Sequence, residues 1–339
     1  MPRRGTRGYG AMKLSTRLLN LLTAIGCFAI AGLAIAYFLI NEKFEWIPQP
    51  VLELVREPDL LKRPEAKRCA DCHKTIYDSW KKSRHAISWT SKTYIEASEN
   101  RTKEKCLACH IPQSVMGEKP SPRMDRRDEG IYCVSCHFVD GKMNGPYDLV
   151  SPSHPTHRNP DYVRSNFCGS CHQKTFKEWQ ATKVEDTCQD CHMPRTKDRL
   201  TQKTGLNLLH KKKWVGDHRF LHGEITEKDI AVEASFEDNF FTVSLLNQTV
   251  PHGVPTADNG DPRLYLYTTF FSATGEQVDM AKEILAPQQE TALAFNNKVG
   301  FRYRLFDPVS HASIVLKYQP AWSKEKELVW EKIVPAQAK

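Results

Sequence analysis

The chain of 339 residues has no massed run of basic residues and little apolar character overall. Its 48 Lys and Arg residues are interleaved with 40 Asp and Glu residues, so the formal net charge of +8 is spread along the chain. Without a basic run, nucleic-acid binding is not expected. Mean hydropathy is −0.53, which in an ordinary protein would indicate a thin core. Bound apolar groups would have to supply part of the buried surface.

Cysteine is scarce outside one pentapeptide. Ten of the 11 cysteines belong to five copies of Cys-x-x-Cys-His, which we number motifs 1 to 5 in chain order. The motifs are Cys69, Cys72 and His73; Cys106, Cys109 and His110; Cys133, Cys136 and His137; Cys168, Cys171 and His172; Cys188, Cys191 and His192. The remaining cysteine, Cys27, lies in an apolar segment, so no thiol outside the motifs is expected to carry chemistry.

This pattern is typical of covalent haem attachment. Two cysteines at positions i and i+3 fit the two vinyl groups of one haem as thioethers, and the adjacent histidine reaches the iron as the proximal ligand. Five copies therefore predict five covalently bound haem c groups. A structural zinc site has no need for a histidine at the same place five times. A disulfide framework is not favoured either, because such close cysteine pairs do not staple a long chain.

The apolar segment lies near the N-terminus. From Leu21 to Ile40 no residue carries a charge, which is long enough to cross a hydrocarbon core. Basic residues precede the segment and acids follow it, so the positive-inside rule predicts a cytoplasmic basic stretch at 1–17 and a transmembrane signal anchor at 18–40. This predicts a single-pass protein of the bacterial cytoplasmic (inner) membrane, with the rest of the chain on the periplasmic side.

Two processing alternatives compete with a retained anchor. Ala34-Ile35-Ala36 is similar to a signal-peptidase site, but the apolar run continues through Ile40. Ala24-Ile25-Gly26-Cys27 is a loose lipoprotein box with an unsuitable first residue. A retained helix is favoured over both.

Composition divides the remaining chain into three parts. Residues 41–66 form a polar, proline-punctuated tether. Residues 67–224 hold all five motifs and predict a mainly α or irregular pentahaem domain with short helices. Within it, CADCHKTIYDSW and CGSCHQKTFKEW repeat an aromatic residue and a tryptophan at the same offsets, which predicts one face of a short helix after motifs 1 and 4.

Residues 225–339 change to short runs rich in β-branched and aromatic residues, separated by turn signals. The predicted strands are 230–236, 240–246, 263–271, 291–295, 302–306 and 312–318. Short strands without a helical pattern between them predict a small all-β, sandwich-like domain.

Eight histidines lie outside the motifs. A second imidazole on an iron makes a six-coordinate haem suited to electron transfer, whereas an open position can bind a substrate. The candidates for distal ligands are His85, His154, His157, His210, His218, His222 and His252. His311 falls in a predicted strand, where a structural role is favoured, and Met116, Met124 and Met143 are further possible ligands.

Several stretches around the motifs resemble a known superfamily. Trp80-x-x-Ser83-x-His85-Ala86, Glu129-Gly130, Ser151-Pro152-x-His154 and CQDCHMP look like the multihaem group around hydroxylamine oxidoreductase and its tetrahaem electron acceptor. Pro251-His252-Gly253-Val254-Pro255-Thr256 is similar to a His-x-x-Pro-Thr element of sandwich domains appended to such cytochromes.

The resemblance implies that His85 and His154 are distal ligands of haems other than the nearest in sequence. It also makes His218 and His252 good candidates. The chain departs from the superfamily in two respects: it has five motifs with a predicted anchor, whereas the tetrahaem acceptor is soluble, and it has no Cys-x-x-Cys-Lys motif. Transfer of a catalytic function by resemblance is therefore weak.

The sequence favours an electron carrier over an enzyme. The predicted function is electron transfer between the membrane, through the quinol pool or a membrane dehydrogenase, and a periplasmic redox protein. The alternative is an oxidoreductase in which one haem keeps an open face and acts on a small nitrogen or sulfur compound.

Overall fold

A computed structural model describes residues 16–41, 50, 56–117, 120–149, 151, 153–205, 207, 210–287, 289 and 291–336. Most of the predicted basic N-terminus and half of the tether lie outside these residues. The described α-helices are α1 Thr16–Asn41, α2 Ala66–Ala70, α3 Lys74–Trp80, α4 Lys92–Ala97, α5 Glu104–His110, α6 Cys133–His137, α7 Asn166–Gly169, α8 Gln173–Thr182 and α9 Cys188–His192.

The prediction of a transmembrane helix at residues 18–40 is wrong. Helix α1 covers the apolar segment, but none of the described helices is long and apolar enough to cross a membrane. The predicted single-pass location in the inner membrane depended on this helix and is wrong as well.

Short helices and small sheets make up the region of the motifs. Strands β1 Phe138–Val139, β2 Lys142–Gly145 and β3 Thr156–Arg158 form one sheet, and β4 Arg195–Asp198 pairs with β5 Lys213–Gly216. Each motif lies on or beside a single helical turn, which brings residues i and i+3 to the same face. In motif 5 the turn begins at a capping box, in which Thr187 and Asp190 satisfy each other's backbone donors.

The repeat has the same structure in both copies. Helices α3 and α8 follow motifs 1 and 4, and their aromatic pairs have the same spacing: Tyr77 and Trp80 have ring centres 5.7 Å apart, as do Phe176 and Trp179. The Trp80 indole donates to the Ile131 carbonyl at 2.8 Å. These contacts agree with the predicted helical face.

The C-terminal part folds into two antiparallel sheets, which we call the C-terminal sandwich. Its strands are β6 Ile230–Glu237, β7 Phe240–Asn247, β8 Arg263–Phe271, β9 Gln277–Leu285, β10 Lys298–Arg304, β11 His311–Gln319 and β12 Glu327–Pro335. The sheet orders are β10-β7-β6 and β12-β11-β8-β9. Alternate side chains of the two sheets share one core, in which the rings of Phe241 and Phe270 meet edge to face at 5.4 Å.

The strand predictions differ from the structure at the sheet edges. Strands β9 and β12 were not predicted, and residues 291–295 contribute only isolated bridges. Both missed strands are edges of the four-stranded sheet and carry charged residues, such as Lys282 and Glu331, among apolar ones. Edge strands are commonly charged, and that composition hides the β pattern.

Candidate haem sites

The ring nitrogens of four of the five motif histidines are oriented by main-chain carbonyls. The Nδ1 atoms of His73, His110 and His137 lie 2.6, 2.8 and 2.7 Å from the carbonyl oxygens of Leu200, Ser88 and Asn144. His192 makes the same contact with Leu221. A carbonyl acceptor keeps the proton on Nδ1 and leaves Nε2 free to bind a metal, so the local structure selects the tautomer that a haem ligand needs.

Four motif histidines face a second histidine. The ring centres are 6.4 Å apart for His73 and His154, 6.3 Å for His172 and His85, 6.2 Å for His137 and His218, and 6.4 Å for His192 and His252. A metal-bound imidazole nitrogen lies about 2 Å from the metal, with the ring centre about 1 Å beyond it. Two imidazoles on opposite sides of one iron therefore have centres roughly 6 Å apart, and the four pairs fit that arrangement.

Burial keeps the facing histidines neutral. Burial, followed by the neighbouring imidazoles, lowers the pKa of His85 to about 3. The pKa of His154 and that of His218 are each lowered to about 4, again mainly by burial. A neutral imidazole keeps the lone pair that binds iron, so these side chains are ready to ligate at neutral pH.

The ring contact of His110 is of a different kind. Tyr94 stacks on its imidazole with ring centres 4.0 Å apart and an interplanar angle of 22°. The Ser88 hydroxyl also donates to the His110 carbonyl at 2.8 Å. Motif 2 thus has an aromatic ring beside its proximal histidine, where the other four motifs have a second histidine opposite.

The remaining predicted ligands lie elsewhere. His157 is exposed on β3, His210 is half-buried just before β5, and the ring of His222 contacts that of Trp322 in a tilted arrangement with centres 4.5 Å apart. His311, in β11, stacks on Phe271 at 4.9 Å. The assignment of distal ligands stays a prediction, and the structure brings His85, His154, His218 and His252 into positions that suit it.

The motifs adjoin one another in an order that differs from the sequence. Thiols lie within hydrogen-bonding reach between motifs 1 and 3, motifs 2 and 4, and motifs 4 and 5. The three contacts are Cys69 with Cys133, Cys109 with Cys171, and Cys168 with Cys188.

Motifs 3 and 4 are joined through Phe220. The Phe220 ring lies 4.2 Å from the ring centre of His85, which faces motif 4, and 6.0 Å from that of His218, which faces motif 3. Motif 4 therefore adjoins motifs 2, 3 and 5, and we call it the junction of the five motifs.

Sequence reasoning missed several residues of these sites. Tyr94 beside His110, Tyr162 stacked on His137 at 5.2 Å, and Asp258 near His172 all lie at positions without a motif. Only Phe220 carried a signal, because it follows His218 closely in the sequence. The others reach the sites through tertiary packing.

Comparison with known proteins gives two matches to cytochromes. Residues 68–138, which contain motifs 1 to 3, match the family model described as cytochrome c554 and c-prime. A pentahaem cytochrome c552 from Thermochromatium tepidum has a similar structure, with a TM-score of 0.59 and 18% identity over 81% of this chain and 99% of that chain. No curated protein sequence matches.

A hypothetical protein from Pyrococcus horikoshii OT3 shares 13% identity over 34% of this chain and 91% of its own. Its TM-score of 0.23 is too low to indicate a shared fold. The motifs, the histidine pairs and the cytochrome matches together support a multihaem c-type cytochrome. Such a protein holds covalently bound haem c, which supports an electron-transfer role.

Proposed function

We propose that this chain is a pentahaem electron carrier. It would exchange electrons between the quinol pool or a membrane dehydrogenase at one end and a periplasmic redox protein at the other. The observation that carries the proposal is the set of four histidine pairs with ring centres 6.2–6.4 Å apart. Bound haem c supplies reversible one-electron chemistry at its iron.

The chain's own residues perform three tasks in this proposal. The cysteines of each motif would tether the cofactor, and each of the four histidine pairs would hold a haem iron and leave no position for another ligand. The carbonyl partners of the Nδ1 atoms prevent the imidazoles from rotating. The contacts between neighbouring motifs keep the tethering points side by side, which would bring neighbouring haems close enough for electron transfer.

The number of cofactors tests the core of the proposal. The purified holoprotein should carry five covalent haems by pyridine haemochrome assay and by mass. A count below five would contradict the pentahaem assignment.

The donor needs a separate test. Membrane vesicles supplied with a quinol should reduce the purified protein, and a quinol-site inhibitor should block that reduction. Direct reduction by quinol without membranes would favour the quinol pool over a dehydrogenase. No reduction in either case would contradict a donor at the membrane.

A second candidate function follows from motif 2. Because His110 stacks against Tyr94 rather than facing a histidine, the haem tethered there is the one suited to an open face. The protein would then act as an oxidoreductase on a small nitrogen or sulfur compound. Carbon monoxide or nitrite should leave the spectrum of a pure carrier unchanged, whereas a spectral change at one haem, with turnover, would favour the enzyme.

A further inference from the structure

The proximal histidine of motif 4 has a carboxylate near its ring. Oδ2 of Asp258 lies 3.9 Å from Nδ1 of His172, whereas Nδ1 in each of the other motifs lies against a main-chain carbonyl. The separation is too long for a direct hydrogen bond. The Asp258 side chain is 13% exposed and that of His172 is 58% exposed, so solvent screens the charge only in part at that distance.

Asp258 belongs to the C-terminal sandwich, in the loop between β7 and β8, and is held firmly. Its Oδ1 accepts a hydrogen bond from the Lys174 backbone N–H at 2.6 Å, and its Oδ2 lies 3.4 Å from the Thr175 hydroxyl. It therefore caps helix α8, whose N-cap residue His172 makes no side-chain cap of its own.

A second acidic residue, Glu178 on α8, holds the same loop in place. Glu178 accepts hydrogen bonds from the Gly253 backbone N–H at 3.0 Å and from the Thr256 hydroxyl at 2.7 Å. The Thr256 hydroxyl is also 2.9 Å from that of Thr175. These contacts set the position of the carboxylate relative to the imidazole.

We propose that Asp258 lowers the reduction potential of the haem at motif 4, so that the C-terminal sandwich sets the potential of the junction haem. A negative charge beside the ligand makes the imidazole a stronger donor and favours the oxidised iron, which carries one more positive charge than the reduced iron. Asp258 is a positioning and charge-setting residue that does not touch the metal. The inference rests on the proposed haem attachment at Cys168 and Cys171.

The substitution Asp258→Asn separates charge from structure. An asparagine oxygen can still accept from the Lys174 N–H, so the cap on α8 is retained while the charge is lost. Asp258→Glu keeps the charge. Thr256→Val is the matched control for the interface, because it removes the hydrogen bonds to Glu178 and Thr175 without changing a charge.

The measurement is a potentiometric titration of the full-length holoprotein, with each haem followed by its EPR signal. Mass analysis of the peptide containing Cys168 and Cys171 comes first, and a missing haem there would refute the attachment itself rather than the role of Asp258. The component to follow is the one that His85→Ala converts to high spin.

In Asp258→Asn this component alone should shift about tenfold towards the reduced form, which is about 59 mV for one electron. Asp258→Glu and Thr256→Val should titrate close to the wild type. The proposal is overturned if no component moves in Asp258→Asn, if that variant loses the low-spin signal, or if Thr256→Val moves the same component equally.

Discussion

A buried neutral imidazole is the residue-scale feature on which these sites depend. Burial lowers the pKa of His85 to about 3, and its ring lies opposite His172 although the two are far apart in the sequence. If this ring holds a haem iron, its removal would leave that iron with one protein ligand fewer. The effect should then be confined to one haem, because the other three pairs use different side chains.

His85→Ala should convert one haem, that of motif 4, from low spin to high spin. The EPR and visible spectra of the holoprotein measure this directly. The matched control is His157→Ala, because His157 is exposed on β3, and its spectrum should equal that of the wild type. A fully low-spin spectrum in His85→Ala would assign that ring to packing instead.

Gly130 supports the segment that carries His85. Its φ and ψ of 58° and −130° belong to a region that glycine adopts far more readily than other residues. A Cβ there would lie 2.4 Å from the His85 carbonyl oxygen and 2.6 Å from the Ser88 hydroxyl. The Gly130 carbonyl also accepts a hydrogen bond from the buried Arg123 side chain, so the backbone has little freedom to move.

Gly130→Ala should lower the free energy of unfolding by about 3 kcal/mol, since backbone strain and overpacking add. Gly141→Ala is the control: its φ is also positive, at 73°, but nothing lies within 4 Å of the added Cβ, and it should cost only about 1 kcal/mol. Denaturant titration of both holoproteins compares them, and equal losses would show that the close approach at Gly130 is not tight.

At the scale of elements, the C-terminal sandwich begins at a polar link between two strands. Asp229 precedes β6 and accepts hydrogen bonds from the Thr226 backbone N–H at 2.8 Å and from the hydroxyls of Thr226 and Thr249. Thr249 follows the end of β7, so the carboxylate ties the start of one strand to the end of its partner. The register of Ile230 opposite Asn247 begins there.

The pH dependence of this link has a definite sign. Burial alone would raise the pKa of Asp229, but the hydrogen bonds from Thr249 and Thr226 outweigh it, and the pKa is lowered. The unfolded chain then binds the proton more readily than the folded one. The stabilisation is therefore complete above the ordinary aspartate pKa of about 4 and is lost as the pH falls through the folded-state value.

Asp229→Asn should cost about 1 kcal/mol of unfolding free energy at neutral pH, and the difference from the wild type should shrink below about pH 4. Unfolding curves across a pH series measure it. Asp238→Asn, at an exposed position in the β6–β7 turn, is the control and should leave the pH profile unchanged. A difference that grows on acidification would contradict the assigned direction of the pKa shift.

At the scale of the whole molecule, His252 is a potential clamp between the two parts of the chain. It lies in the loop after β7, and its ring is 6.4 Å from that of His192 with an interplanar angle of 17°. The hydrogen bonds of Glu178 hold the same loop against α8. A bond from His252 to iron would couple the sandwich to the haem region through the metal.

His252→Ala should change one haem from low to high spin and loosen the sandwich, which limited proteolysis between the two parts would reveal. His311→Ala, in the same sandwich but stacked on Phe271, should change no haem spectrum. An unchanged spectrum in His252→Ala would leave the loop held by its hydrogen bonds to α8 and the ring of His252 without a ligand role.

The sequence alone predicted what depends on local chemistry. Covalent attachment needs two cysteines one helical turn apart and a histidine beside them, so motifs 1 to 5 could be read directly. Strands β6, β7, β8 and β11 could also be predicted, because strands packed against a core carry a regular run of β-branched and aromatic residues. The charged edge strands β9 and β12 lack that signal.

The tertiary structure decided which groups meet. His85 faces His172, and His154 faces His73, across long stretches of chain. Asp258 lies near His172 although it belongs to the loop between β7 and β8 of the C-terminal sandwich. Such partners are chosen by packing and burial, which depend on all the elements at once and leave no periodic mark in the sequence. The apolar segment of α1 shows the converse, because its composition alone predicted a membrane span that the structural finding does not support.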